Sequence, residues 1–210
     1  MNYLILLRHG QSKWNLENKF TGLTDVDLTE AGIKEAINAG KLLKKLSINI
    51  DKIYSSELKR ANDTAKITMK EVDLSNLYKK NELIMTRDQA LNERDYGNLV
   101  GLNKADTIKK YGKEQVHIWR RSFDIPPPGG ESLKDVLQRV EIYFNATIKK
   151  DIKANKNILV VAHGNSLRAM LICLKIYKPE NISKVEIPTG KPILIEFENN
   201  NLLSHKTLDS

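Results

Sequence analysis

The stretch Tyr3-Leu4-Ile5-Leu6-Leu7-Arg8-His9-Gly10 decides the fold, because a distant stretch repeats its design: Ile158-Leu159-Val160-Val161-Ala162-His163-Gly164. Each is a short, unbroken apolar run closed by a histidine and a glycine. A strand with one wet face alternates apolar and polar residues. An unbroken run marks a strand covered on both faces, as in a parallel sheet. In open α/β sheets the ligand sits at the carboxyl ends of the strands. Two such strands side by side would bring His9 and His163 to one edge, with Arg8 beside them. Two imidazoles and a guanidinium in one crevice suit a phosphoryl group.

The rest of the chain is consistent with that sheet. Its 210 residues suit one α/β domain with a sizeable core. Residues 1–210 therefore read as a single-domain three-layer α/β/α sandwich with a mostly parallel central sheet. No apolar run is long enough to cross a bilayer, and the five-residue N-terminal run meets Arg8 too soon for a signal peptide. The lone cysteine, Cys173, allows no internal disulfide and lies in an apolar run, so it reads as a core thiol in a cytoplasmic protein. The net charge of +8 raises the question of nucleic acid. Lysines fall singly or in pairs such as Lys44-Lys45 and Lys149-Lys150, with no basic arm and no aromatic stacking surface. That distribution favours small polyanions over nucleic acid. No His, Cys and Asp cluster has metal-ligand spacing, so no metal is expected.

Periodicity gives the order β, α, β, α, an irregular middle, then α, β, α, β. Thr29 caps a helix whose apolar face is Ile33, Ile37, Gly40, Leu43 and Leu46. Residues 51–55 form a short strand, and Ser56 caps the helix that carries Arg60. Asn103 starts a helix that ends at Gly112. Pro126-Pro127-Pro128-Gly129-Gly130 is a stiff break. Ser132 opens a long helix to about Lys150. A helix over about 166–176 and a strand over 193–197 follow the second His-Gly run.

His9 at a strand end can attack phosphorus through a neutral ring nitrogen. Gly10 would let the backbone approach a phosphate and offer its N–H. Arg8 would meet the equatorial oxygens, where catalysis of phosphoryl transfer is mostly electrostatic. The flanks extend this pattern: Gln11-Ser12, Trp14-Asn15, Phe20-Thr21-Gly22, Leu58-Lys59-Arg60-Ala61, Asn92-Glu93-Arg94-Asp95-Tyr96-Gly97, Gly101-Leu102-Asn103-Lys104, Trp119-Arg120-Arg121 and His163-Gly164-Asn165-Ser166-Leu167-Arg168. Through these blocks, from about Leu4 to Phe197, the chain resembles the histidine phosphatase superfamily. Within it, the chain is similar to the short forms of the cofactor-dependent phosphoglycerate mutases.

The resemblance implies an isomerase of glycolysis and gluconeogenesis that interconverts 3-phosphoglycerate and 2-phosphoglycerate, primed by 2,3-bisphosphoglycerate without a metal. It implies that His9 is the phosphorylated nucleophile, His163 its partner, Arg8 and Arg60 the clamp, and Glu93 the proton carrier. It implies a phosphate pocket of Ser12, Asn15, Thr21, Gly22, Gly164 and Asn165. Tyr96, Lys104, Arg120 and Arg121 would hold the substrate carboxylate and second phosphate. Its partners are small phosphoglycerates, with neither nucleic acid nor membrane, and homo-oligomer formation is left open. Trp14 and Trp119 read as packing residues, and His117 and His205 as surface residues. Longer mutases have more chain between the paired arginines and the Glu131-Ser132-Leu133 helix start, and a longer tail. The compact Phe123–Gly130 connection leaves a histidine-type phosphatase of small phosphate esters as the alternative.

Overall fold

The computed structural model describes residues 1–209. β1 (Asn2–Arg8) leads through one helical turn, α1 (Lys13–Leu16), to the long helix α2 (Glu30–Lys45). β2 (Lys52–Ser55) and α3 (Lys59–Val72) follow. The middle holds a ribbon of β3 (Tyr78–Lys79) and β4 (Glu82–Leu83), the short β5 (Thr86–Arg87), and the helices α4 (Lys104–Tyr111) and α5 (Lys113–Arg121). α6 (Leu133–Tyr143) and α7 (Lys149–Lys153) precede β6 (Ile158–Ala162) and α8 (Gly164–Cys173). A short α9 (Pro179–Ile182) leads to a final hairpin of β7 (Pro192–Glu198) and β8 (Asn201–Thr207).

The main sheet has the order β5-β2-β6-β1-β7-β8. β1, β2, β5 and β6 run parallel, and β7 is antiparallel to both of its neighbours. The two His-Gly strands are therefore adjacent, as their composition predicts. Both faces are covered, which explains the unbroken apolar runs. Leu4, Leu6, Ile158 and Val160 pack with Val136, Val140, Leu167 and Met170 of α6 and α8. Ile5, Leu7, Leu159 and Val161 pack with Ala39, Leu43, Ala65 and Met69 of α2 and α3. Full burial of one such side chain contributes about 1.5–3 kcal/mol. The register sets Arg8 opposite Ala162 and Ser55 opposite Val161. Residues 9, 56 and 163 consequently leave the sheet at one edge.

Several expectations about elements are corrected. The buried face of α2 is Gly32, Ala36, Ala39, Gly40 and Leu43, whereas Ile33 is exposed. Small residues are needed there because α2 crosses α3 closely: a Cβ on Gly40 would collide with the Thr68 carbonyl. α3 begins one residue after Leu58, and its N-cap is Leu58 and not Ser56. The helix after Ser132 widens into a π turn over Phe144–Ile148 before continuing as α7. α8 begins at Gly164 and ends at Cys173, shifted toward the N-terminus. α5, the β3–β4 ribbon and β8 were not anticipated. The β7–β8 turn uses Asn199 and Asn200, both with positive φ, which asparagine tolerates and tight hairpins require. Cys173 is half-buried, and burial pushes its thiol up to about 12. Among the described residues no helix is long and apolar enough to cross a membrane.

Candidate active site

β1 delivers Arg8 and His9 to the sheet edge. His9 N–H donates to the Ala162 carbonyl at 3.0 Å, extending the ladder one residue past the strand. The imidazole is buried, and its Nδ1 lies 2.7 Å from the Gly10 carbonyl oxygen. A carbonyl only accepts, so Nδ1 carries the proton and Nε2 keeps a lone pair. Burial holds the ring well below its ordinary pKa of 6.5, and His163, Arg60 and Arg8 lower it further. His9 is thus neutral at neutral pH.

β6 delivers His163, fully buried, with its ring centroid 5.0 Å from that of His9. Its Nε2 lies 2.8 Å from Ser56 Oγ. That hydroxyl accepts the Leu58 N–H at 3.2 Å, so its own proton is available to Nε2. With the Ser56 proton on Nε2, the ring proton falls on Nδ1, which has no partner among the described residues. Burial, with Arg60 and Arg8, also lowers His163 well below 6.5. Ser56 does not cap α3 but fixes this imidazole. Its position after a strand end, level with His9, is the signal that could have identified it.

Two arginines are anchored by one edge of the guanidinium each. Arg8 Nη1 donates to the Ile187 carbonyl at 2.7 Å. Arg60 Nη1 and Nη2 donate to the carbonyls of Thr24 and Gly22 at 2.9 and 2.8 Å. Burial lowers Arg60 to about 10, which leaves it a cation at neutral pH. The Nε of both arginines, like His163 Nδ1, is buried without a partner among the described residues. Buried donors in proteins are nearly always paired. Three orphan donors around two imidazoles form a socket for a multivalent acceptor such as a phosphoryl group.

Glu93 is buried on the N-terminal end of α8. Its Oε1 accepts from Arg94 N–H at 2.9 Å, Asn165 N–H at 3.2 Å and Asn165 Nδ2 at 3.0 Å. Burial would raise its pKa. The Arg94 N–H, the Arg8 and Arg60 guanidiniums and Asn165 outweigh that and hold it below its ordinary value. Tyr96 Oη lies 3.4 Å from Asn165 Nδ2, with the Arg94 guanidinium 4.6 Å from its ring. Gly164 lies against Arg8: a Cβ there would sit 3.7 Å from the guanidinium carbon.

The remaining expected residues take varied positions. Ser12 and Asn15 cap the single turn of α1 by bonding to each other, with Asn15 N–H on Ser12 Oγ at 3.3 Å. Thr21 is buried beside Gly22, whose positive φ turns its carbonyl to Arg60. Gly10 corrects an expectation. Its N–H is taken by Thr64 Oγ1 at 3.0 Å, and a Cβ would collide with the Gly32 carbonyl. Glycine is needed there for tight packing on α2, not for phosphate approach. Arg120 and Arg121 end α5. Arg121 Nη2 is paired with Glu186 Oε1 at 2.5 Å, a contact between residues 65 positions apart that no local pattern marks. Arg168 is also buried, with Nε on the Val185 carbonyl and Nη1 3.4 Å from Asn165 Oδ1. Lys104 is half-buried with its Nζ 5.7 Å from the centre of the Phe20 ring, and Phe20 belongs to a satellite cluster with Leu99, Val116 and Trp119. Burial lowers both Lys104 and Arg120. His117 and His205 are exposed.

A neutral imidazole beside a second imidazole, two guanidiniums and an ionised carboxylate is an arrangement that can hold a phosphoryl group. The chain belongs to the histidine phosphatase superfamily (branch 1), whose family model matches residues 4–208. It is 48% identical over 203 residues to the 2,3-bisphosphoglycerate-dependent phosphoglycerate mutase of Bradyrhizobium sp., covering 97% of this chain and 95% of that one. It is 49% identical over 205 residues to the protein of the same name from Brucella melitensis, covering 98% and 97%. Among solved structures it is similar to an α-ribazole-5′-phosphate phosphatase from Escherichia coli, described as putative, with TM-score 0.79 and 25% identity over 100% of this chain and 96% of that one. It is also similar to a mycobacterial glucosyl-3-phosphoglycerate phosphatase, with TM-score 0.78 and 25% identity over 93% of each chain.

Proposed function

We propose that this chain is a 2,3-bisphosphoglycerate-dependent phosphoglycerate mutase, a cytoplasmic isomerase that acts as one domain over residues 1–210. The observation that carries the reading is the set of three buried orphan donors around a neutral His9. The same donors fit a phosphoryl from bisphosphoglycerate. Two features favour a mutase over a phosphatase. Arg120, Arg121 and Lys104 supply more cationic groups than a phosphoryl alone requires. The relatives that carry the mutase name match at nearly twice the identity of the solved phosphatases, and this chain spans 95% or more of each of the two compared.

Bound 2,3-bisphosphoglycerate supplies the phosphoryl group that loads His9. His9 presents its Nε2 lone pair while Gly10 holds the opposite nitrogen. Arg8, Arg60 and His163 Nδ1 donate to the transferring phosphoryl oxygens, where transition-state charge gathers. Glu93, ionised at rest, takes the proton of the attacking substrate hydroxyl as the His9 N–P bond breaks and the O–P bond forms. On return of a phosphoryl to His9, Glu93 gives that proton to the departing oxygen. Tyr96, Lys104, Arg120 and Arg121 hold the carboxylate and the phosphate that is not reacting.

Incubation with 2,3-bisphosphoglycerate should add one acid-labile, base-stable phosphoryl group, which His9→Ala abolishes. A coupled assay should then show isomerisation that depends on added bisphosphoglycerate. Hydrolysis that outruns isomerisation would favour the phosphatase; label persisting in His9→Ala would remove both readings.

A further inference from the structure

Glu93 sits on a segment without regular support. Between the short turn at Gln89–Leu91 and the turn at Gly97–Leu99, the main chain belongs to no helix or sheet. A side chain that must meet a substrate oxygen needs its backbone fixed, since a misplacement of about 1 Å can cost on the order of a hundredfold in rate. The fixing comes from α6. Arg139 Nη1 donates to the carbonyls of Ala90 at 2.7 Å and Asn92 at 3.1 Å, and Nη2 donates to the Glu93 carbonyl at 3.2 Å. The other edge of the guanidinium is held by Glu131, with Nε on Oε1 at 2.9 Å and Nη2 on Oε2 at 3.0 Å. Glu131 Oε2 also accepts the Asp95 N–H at 2.9 Å, and Glu131 N–H donates to the Asp95 carbonyl. The Arg139–Glu131 pair thus grips the main chain on both sides of Glu93.

We propose that Arg139, braced by Glu131, is the positioning residue for proton transfer by Glu93. It makes no hydrogen bond to the imidazoles or to the Glu93 carboxylate; it holds the carbonyl of Glu93 itself, and its charge also helps to lower His163. The planar fork is what the task requires, because one guanidinium reaches three carbonyls and a carboxylate at fixed angles. A lysine ammonium keeps the charge but cannot span them. The proposal rests on the reading of Glu93 as the proton carrier, and the test separates the two.

The test compares two phosphoryl donors to His9 in single-turnover experiments. 2,3-Bisphosphoglycerate must expel an alkoxide and needs a proton donor; its own negative charge offsets Arg8 and Arg60, so that Glu93 takes a proton from solvent before the transfer. p-Nitrophenyl phosphate expels a stable phenolate and does not. Glu93→Gln should slow transfer from bisphosphoglycerate by about a hundredfold or more, the usual weight of general acid catalysis. It should leave the phenolate burst within about threefold. Arg139→Lys should show the same selectivity, with a loss of about ten- to hundredfold on the alkyl donor alone. Glu131→Gln should do so more weakly, and it serves as the second variant if Arg139→Lys folds poorly. The double variant Arg139→Lys, Glu93→Gln should lose no more than Glu93→Gln, because lysine keeps the charge that acts on His163 and the lost fork acts only through Glu93. Equal loss with both donors, no loss with either, or additive losses in the double variant would overturn the proposal. If Glu93→Gln itself shows no donor selectivity, the reading of Glu93 fails instead.

Discussion

Ser56→Ala removes one buried hydroxyl and tests the tautomer logic of the site. In the intact chain that hydroxyl accepts from Leu58 N–H and bonds to His163 Nε2. Leaving a buried polar group unpaired costs about 1–3 kcal/mol, so the variant should be less stable by about that much. The chemical effect is separate. Without a donor at Nε2, the ring loses what holds its proton on Nδ1, the atom with no other partner. A hydrogen bond contributes about 0.5–1.5 kcal/mol net, so the productive tautomer should fall by up to about tenfold. The rate of His9 phosphorylation should fall with it, since an Nδ1 lone pair would repel phosphoryl oxygens. Nitrogen-15 shifts of the His163 ring report the tautomer, urea unfolding reports stability, and rapid-quench labelling reports the rate. If the ring keeps its proton on Nδ1 and labelling is unchanged while stability drops, Ser56 is a packing residue and the reasoning is wrong.

Three further outcomes follow from single contacts. Glu186→Gln releases Arg121 from an exposed partner, a pair worth about 0.2–1 kcal/mol, so the KM for phosphoglycerate should fall by up to about fivefold with kcat unchanged; a higher KM would mean that Glu186 holds Arg121 in place for substrate. Gly10→Ala drives a Cβ into the Gly32 carbonyl, and overpacking of this kind costs about 1–3 kcal/mol; an unchanged urea midpoint would show that the loop yields. His9 and His163 are both depressed below 6.5 in the fold, so the unfolded chain takes up protons that the folded chain refuses. Their contribution to stability is present above about pH 6.5 and lost below it, at about 1.4 kcal/mol per pH unit for each histidine. Urea unfolding at about pH 7.5 and 5.5 measures the slope, and a flat profile would contradict burial as its cause.

The sheet and the inner site were legible because their signals are local. An apolar run covered on both faces must be unbroken, and a strand end fixes where the next residue points, so His9, His163 and Arg8 could be placed together at one sheet edge from composition and topology. Gly10 was misread because a glycine after a strand looks the same whether a phosphate or another backbone approaches it; here Gly32 of α2 is the approaching group. The apolar face of α2 was misread because close helix crossing selects alanine and glycine, which carry little hydrophobic signal against Ile33. Ser56, Glu186 and Arg139 were missed for a common reason. Their partners lie 107, 65 and 46–49 positions away in sequence, and a lone Ser, Glu or Arg gives no pattern until the fold closes. The second strand of the final hairpin was missed because all seven of its residues are exposed, so neither alternation nor an apolar run marks it.

The arginines of the site set more than one protonation state. Arg8 and Arg60 act on His9, His163 and Glu93 together, and a cationic field lowers every pKa near it, imidazole and carboxylate alike. Burial alone would pull these groups apart, lowering the imidazoles and raising the carboxyl. With the arginines present, the His9 imidazole and the Glu93 carboxylate are both unprotonated at the same pH, as the proposed roles of nucleophile and base require. The phosphoryl group that the socket accepts carries negative charge of its own. Held between Arg8 and Arg60, it offsets their field and moves the Glu93 pKa upward, toward a range in which the carboxyl can keep a proton taken from a hydroxyl. When the charge shifts back, that proton becomes easier to give. One carboxyl can therefore act as base on one substrate oxygen and as acid on another without a second titrating residue, provided that its backbone stays where Arg139 and Glu131 hold it.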